Sequence, residues 1–285
     1  FLLYHYFSWI QGENSGREVF MEVTLQMLAI VCPLIFLAGL VDAVAGGGGL
    51  ISLPAYLLAG LPPHAAPATN KCGSVFGTGL STLRFLKNGR VRLGPAAVSA
   101  ATALLGSVLG ARLCLLVPDT FLHYFLVAAL PVLAVFLLFK RDFGLENKAD
   151  ALSGPLLMLL SGLIGLVLGL YDGFFGPGAG TFVILAFTAL CRFDLVTASG
   201  NAKVVNFCSN LAAFVTFALA GEIVWALGVP AAVCGLWGHY TGSGLALKGS
   251  QGHPAHVLRG VGPAAVQNRP GTRRLIPLDR CLLQV

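Results

Sequence analysis

The chain has 285 residues, 56% of them hydrophobic and 11% charged, with a mean hydropathy of +0.81. This balance excludes an ordinary soluble domain and predicts an all-α integral membrane protein. The formal charge of +6 sits in short clusters between apolar runs, which argues against a nucleic-acid surface and for loops that fix orientation in a lipid bilayer.

In chain order, residues 1–20 form an irregular N-terminal extension whose mix of aromatic and polar residues fits neither a signal peptide nor a span. Met21 opens the first orderly helix. Residues 21–139 carry apolar runs at about 23–41, 50–61, 67–86, 94–117 and 120–139, a first transmembrane repeat. Residues 140–150 form a linker holding Lys140, Arg141 and Lys148. An earlier loop holds Arg84, Lys87, Arg90 and Arg92. Two crossings separate these basic clusters, so both fall on one side, assigned to the cytoplasm. Residues 151–248 carry runs at about 151–171, 176–190, 196–220 and 223–247, a second repeat. The runs at 50–61, 67–86, 176–190 and 223–247 are short and glycine-interrupted, and the whole predicts a polytopic bundle of seven or eight spans.

Residues 249–285 turn abruptly to Pro, Arg and His without helical period. No span is expected there. A natural disordered tail and a frameshift both stay open: one nucleotide later, the codons permit Ala-Ala-Lys-Val-Ile-Arg-Pro-Met and then apolar residues, an ordinary loop entering a last span. The cysteines at 32, 72, 114, 191, 208, 234 and 281 make no CxxC pair, and the six histidines no HExxH motif. The cysteines read as reduced, small apolar residues; no metal and no cofactor is expected.

An internal repeat is visible. DAVAGGGGLISLPAYLLAG from Asp42 resembles DGFFGPGAGTFVILAFTAL from Asp172, an offset of 130 residues (42 to 172), with Gly46 over Gly176 and Gly48 over Gly178. Downstream, APATNK faces TASGNAK, with Lys71 over Lys203 at an offset of 132 (71 to 203). At the same offset the basic loop Gly89-Arg90-Val91 lies over the acidic Gly221-Glu222-Ile223, which suggests opposite sides of the membrane and an inverted repeat.

Gly46, Gly47, Gly48 and Gly49 in one half, and Gly176, Pro177 and Gly178 in the other, predict two broken helices. Each Gly costs about 1 kcal/mol in a helix relative to Ala, and Pro177 has no amide to donate. A break inside a bilayer must face protein or a water-filled cavity, where backbone N–H groups at the start of the next helix favour an anion. Lys203, Asn206 and Asn210 share one helix face at i, i+3 and i+7, as do Lys71, Ser74 and Thr78. Asn70 and Asn201 stand beside the lysines. These residues are the candidate binding set for a small anion. Close packing through the glycines, and lysines that snorkel to the interface, are the alternatives. Asp42 and Asp172 are either proton-titrating coupling groups or counter-ions for the lysines.

GLVDAVAGGGGLISLP with ATNK, and GLYDGFFGPGAGTF with ASGNAKVVNFCSNLAA, resemble the sulfite exporter TauE/SafE family over about residues 28–248. The resemblance implies a permease built by duplication that moves a small inorganic or organosulfur anion, sulfite or a sulfonate, across the bacterial inner membrane; the reading of Asp42 and Asp172 makes protons the candidate coupling ion. The family's usual last span is absent here, so this chain is expected to be less stable and less active than full-length relatives. A structural membrane subunit and an intramembrane enzyme are the competing readings; the second needs a nucleophile or metal motif, and none stands out. Oligomeric state is left open.

Overall fold

The computed structural model describes residues 23–138 and 152–249. The N-terminal extension, the linker and, from residue 250 on, the tail expected from sequence lie outside the described residues, the frameshift reading with them, while Gly249 belongs to the last helix. The described residues form nine helices: α1 Leu25–Ala45, α2 Gly49–Leu58, α3 Ala65–Lys87, α4 Leu93–Leu116, α5 Asp119–Leu138, α6 Gly154–Phe174, α7 Ala179–Ala189, α8 Leu195–Leu219 and α9 Trp225–Gly249.

Local chemistry explains several ends. The hydroxyl of Thr24 accepts from the amide of Met27 and caps α1. The carboxylate of Asp194 caps α8 by accepting from the amides of Val196 and Thr197, both at 3.0 Å. Arg84 and Lys87 lie in the last turn of α3, where positive charge complements the helix dipole.

Four helices, α1, α4, α6 and α8, are long and apolar enough to cross a membrane. Their outer faces carry exposed leucines at helical spacing, Leu105, Leu109 and Leu113 on α4 and Leu159 and Leu163 on α6, as lipid contact requires. Two of the runs that look glycine-interrupted in sequence are continuous helices: α3 holds Gly73, Gly77 and Gly79, and α9 holds Gly228, Gly235, Gly238, Gly242 and Gly244. Tertiary packing overrides the propensity here, because several of these positions let another helix approach closely. Gly238 and Gly242 sit against the carbonyls of Phe36 and Leu40 on α1.

The most extensive pairings are α4 along α6 and α9 along α1. α9 also packs on α3, and α4 on α8, so the helices gather into α1–α3–α9 and α4–α6–α8, which meet where α3 touches α8. Two buried apolar clusters form, one around Leu53, Tyr56, Phe175 and Phe217 and a second around Ile164, Phe187 and Phe193, and α4 and α8 contribute to both.

The α4–α6 seam has no room for side chains. A methyl on Gly169 would meet the Cα and carbonyl oxygen of Ala103, both at 2.7 Å, and these are backbone atoms that cannot turn away. Gly169→Ala is therefore expected to lower the thermal unfolding temperature of the purified protein, at a cost of about 1–3 kcal/mol. Gly154→Ala, at a position with nothing within 4 Å of the added carbon, is the control and should change stability by less than about 0.5 kcal/mol. Equal melting temperatures for the two variants would contradict this packing.

Candidate functional site

Both predicted breaks are present. α1 stops at Ala45 because Gly46 turns left-handed, with φ of 78°, and α2 restarts at Gly49. In the second half α6 stops at Phe174, Gly176 and Gly178 take φ of 95° and 76°, and α7 begins at Ala179. These are conformations that a residue with a Cβ adopts only at a cost.

The two breaks lie against each other. The amide of Thr181 donates to the carbonyl of Gly46 at 3.2 Å, and its hydroxyl to the carbonyl of Ala45 at 2.8 Å. Carbonyls left over at the end of α1 thus find donors on α7, as a buried helix end requires. A Cβ on Gly49 would lie 2.8 Å from Cα of Pro177, and one on Gly46 2.5 Å from the carbonyl carbon of Gly180. Helix breaking and close packing, which sequence leaves as alternatives, coexist at the same glycines.

Lys71 on α3 and Lys203 on α8 are 2% and 1% exposed, so neither snorkels. Each meets the aspartate of the other half. Lys71 Nζ lies 2.8 Å from Asp172 Oδ1 and donates to Asn210 Oδ1 at 2.9 Å. Lys203 Nζ donates to the backbone carbonyl of Asp42 and lies 3.6 Å from Asp42 Oδ2. Ser209 donates to the second oxygen of Asp172, and the amide of Gly48 to Asp42 Oδ1 at 3.3 Å. A buried charge left alone costs several kcal/mol, so cross-pairing is what allows both lysines to stay inside.

Between these pairs lies a cavity with about 40 Å³ of space for water centres. A single water needs about 10–15 Å³ by that measure, so the space suits a small ion or a few waters. Its wall includes Asp42, Asn70, Lys71, Ser74 and Thr78 from the first half and Asp172, Asn206 and Asn210 from the second. Gly46, Gly48, Gly49 and Gly176 complete it from the breaks. Five predicted residues do not reach the wall: Gly47, Pro177, Gly178, Asn201 and Lys203. Asn201 is buried and its amide nitrogen donates to the carbonyl of Thr197 at 2.8 Å, within α8. Thr78 lines the cavity but spends its hydroxyl proton on the carbonyls of Ser74 and Val75.

The ammonium of Lys71 has three N–H groups, and two are engaged by Asp172 and Asn210, which leaves one for an occupant. Sequence reasoning missed His239 on α9, which is buried and part of the same wall, and Ser209, which holds Asp172. A lone histidine in an apolar helix gives no motif. Among the described residues no group of three His, Cys, Asp or Glu side chains is placed to hold a metal.

Comparison with known proteins bears on this geometry. The family described as Sulfite exporter TauE/SafE matches residues 31–260. The chain is 38% identical over 208 residues to a probable membrane transporter protein of Haemophilus influenzae, covering 73% of this chain and 80% of that protein. It is 36% identical over 208 residues to the probable membrane transporter protein ORF9 of a Sinorhizobium species, covering 73% and 78%. Against the probable membrane transporter protein YfcA of Escherichia coli K12 it is 35% identical over 239 residues, covering 84% and 87%. No solved structure matches at a significant level.

Proposed function

This chain belongs to the sulfite exporter TauE/SafE family of membrane transporters, and we propose that it carries a small sulfur-containing anion, sulfite, a sulfonate or a close relative, across the bacterial inner membrane by alternating access. The observation that carries the reading is the pair of buried lysines, each matched to an aspartate of the other half, beside a cavity walled by two broken helices. Broken helices that meet near the middle of a duplicated bundle are a recurrent way to build a substrate site in transporters. In this reading the chain is a multi-pass bundle of seven or eight spans, and the two groups α1–α3–α9 and α4–α6–α8 rock about the α3–α8 contact.

Charge compensation sets the mechanism. With both lysines and both aspartates ionised the two ion pairs beside the cavity cancel, so an entering anion brings an uncompensated charge into a low-dielectric site. Protonating an aspartate removes that penalty, because the carboxyl group stops competing and its lysine turns to the anion. Asp42 also occupies the amide of Gly48 at the start of α2, where an anion gains from the positive helix end. The carboxylate stands in for the substrate until a proton arrives.

Uptake of sulfur-labelled sulfite, thiosulfate and taurine into proteoliposomes, with and without a proton gradient, tests the reading. Uptake of at least one anion above that of protein-free vesicles, changed by the gradient, is the expected result. Rates equal to empty vesicles for all three would sink it. Asp42→Asn and Asp172→Asn refine the coupling. A proton needed for binding makes wild-type transport rise as pH falls, whereas Asn mimics the protonated carboxyl permanently and flattens the profile. Unchanged profiles in both variants, with transport intact, would make the aspartates structural.

A further inference from the structure

The two ion pairs are not built alike. Asp172 is held tightly, with Lys71 at 2.8 Å on one oxygen and the Ser209 hydroxyl on the other. Asp42 Oδ2 accepts no hydrogen bond, and Lys203 stands 3.6 Å from it. What faces that oxygen is His239, whose Nε2 lies 3.9 Å away while its Nδ1 lies 3.1 Å from the Ser81 hydroxyl.

Space for this ring is made on purpose-sized neighbours. A methyl on Gly77 would meet His239 Cγ at 2.7 Å, and one on Gly39 would meet Cδ2 at 3.0 Å. In the register of the internal repeat, Gly77 corresponds to Ser209 and Ser107 to His239 (77 to 209, 107 to 239). The α4–α6–α8 group fills the equivalent place with two serines, Ser107 of the first half donating to the carbonyl of Ser209 of the second at 2.6 Å, and so has no titratable group there.

We propose that His239 is the proton partner of Asp42, the two side chains holding one exchangeable proton at the cavity wall, so that proton loading occurs at this pair and not at Lys71–Asp172. This rests on the anion-transport reading of the cavity. In the neutral state Nε2–H points at the carboxylate and Nδ1 accepts from Ser81. A proton from water on Nδ1 makes the ring a cation, and Ser81 then accepts from Nδ1–H instead. The two Lys–Asp pairs cancel, so the imidazolium leaves the site with one net positive charge, and a monoanion restores neutrality. Proton and anion therefore bind together. The charged groups around the ring are Asp42 from α1 and Lys203 from α8, with Lys71 and Asp172 on the same cavity. Arg84 of α3 is engaged one turn further on, by Ser243 and the carbonyl of Tyr240.

The test has two arms on the full chain in nanodiscs. In the first, carbon-13 histidine resonances are followed with pH, His239 being identified by its absence in His239→Gln. Its titration should shift in Asp42→Asn and stay in place in Asp172→Asn; a His239 signal indifferent to Asp42→Asn would overturn the pairing. In the second, proton uptake on adding methanesulfonate, which keeps its charge throughout, is read with a pH indicator. Wild type should take up about one proton per anion bound, and His239→Gln should lose that uptake. If that variant misfolds, Ser81→Ala keeps the ring, removes its partner and should shift the midpoint of uptake. Anion binding with wild-type proton uptake in His239→Gln refutes the pair and leaves the transport reading standing. A His239 signal that answers to Asp42, in a protein that binds neither methanesulfonate nor sulfite, supports the pair and refutes transport of such anions.

Discussion

Lys71→Met is expected to weaken anion binding by about a hundredfold or more and to destabilise the protein by about 3–5 kcal/mol, because it removes the ammonium that faces the cavity and strands Asp172 in the interior. The two effects separate in the double variant Lys71→Met with Asp172→Leu. Removing both charges together leaves no uncompensated group, so stability should return to within about 1–2 kcal/mol of wild type, while uptake stays lost. Thermal unfolding in detergent and uptake in proteoliposomes read the two quantities independently. A double variant that transports at the wild-type rate would make Lys71 a structural cation and leave the cavity without its ligand.

Gly46→Ala is expected to have the second largest effect. The left-handed backbone costs an L-residue about 1–2 kcal/mol, and the new carbon would lie 2.5 Å from the backbone of Gly180, which adds about 1–3 kcal/mol of overpacking. Because that backbone belongs to the other break, relief of the clash must push α7 away from α1 and break the hydrogen bond from Thr181 to Gly46. Gly60→Ala isolates the backbone component. Gly60 has φ of 86° with nothing within 4 Å of the added carbon, so only the conformational cost applies and uptake should persist. If Gly46→Ala and Gly60→Ala are equally mild, the two breaks do not depend on close approach.

Much of the site was legible in sequence because its signals are local. Four consecutive glycines, and Gly-Pro-Gly in the matching place, cannot continue a helix wherever they are packed. A lysine followed by polar residues at i+3 and i+7 marks one helix face regardless of neighbours. Twelve of the seventeen candidate residues line one cavity for that reason, as much of the wall is drawn from the two breaks and the two polar stripes, with Gly235 and His239 of α9 added by packing. Glycine within α3 and α9 was misleading for the opposite reason. A helical glycine carries the same local cost whether it ends the helix or admits a neighbour, and only the neighbour decides.

By itself the sequence determined the apolar burden that calls for a membrane, the positions of the two helix breaks, and the lysine-bearing polar faces, since each depends on residues within a few turns of one another. Tertiary structure alone decided which charge meets which. Lys71 pairs with Asp172 of the other half and donates to Asn210, 139 positions away, Lys203 donates to Asp42, 161 away, and Ser81 meets His239 across 158. Coulomb attraction over a few ångströms has no dependence on chain separation, so a lysine in sequence offers no sign of its partner. A buried histidine becomes part of a charged wall only when packing of α9 on α1 and α3 carries it there.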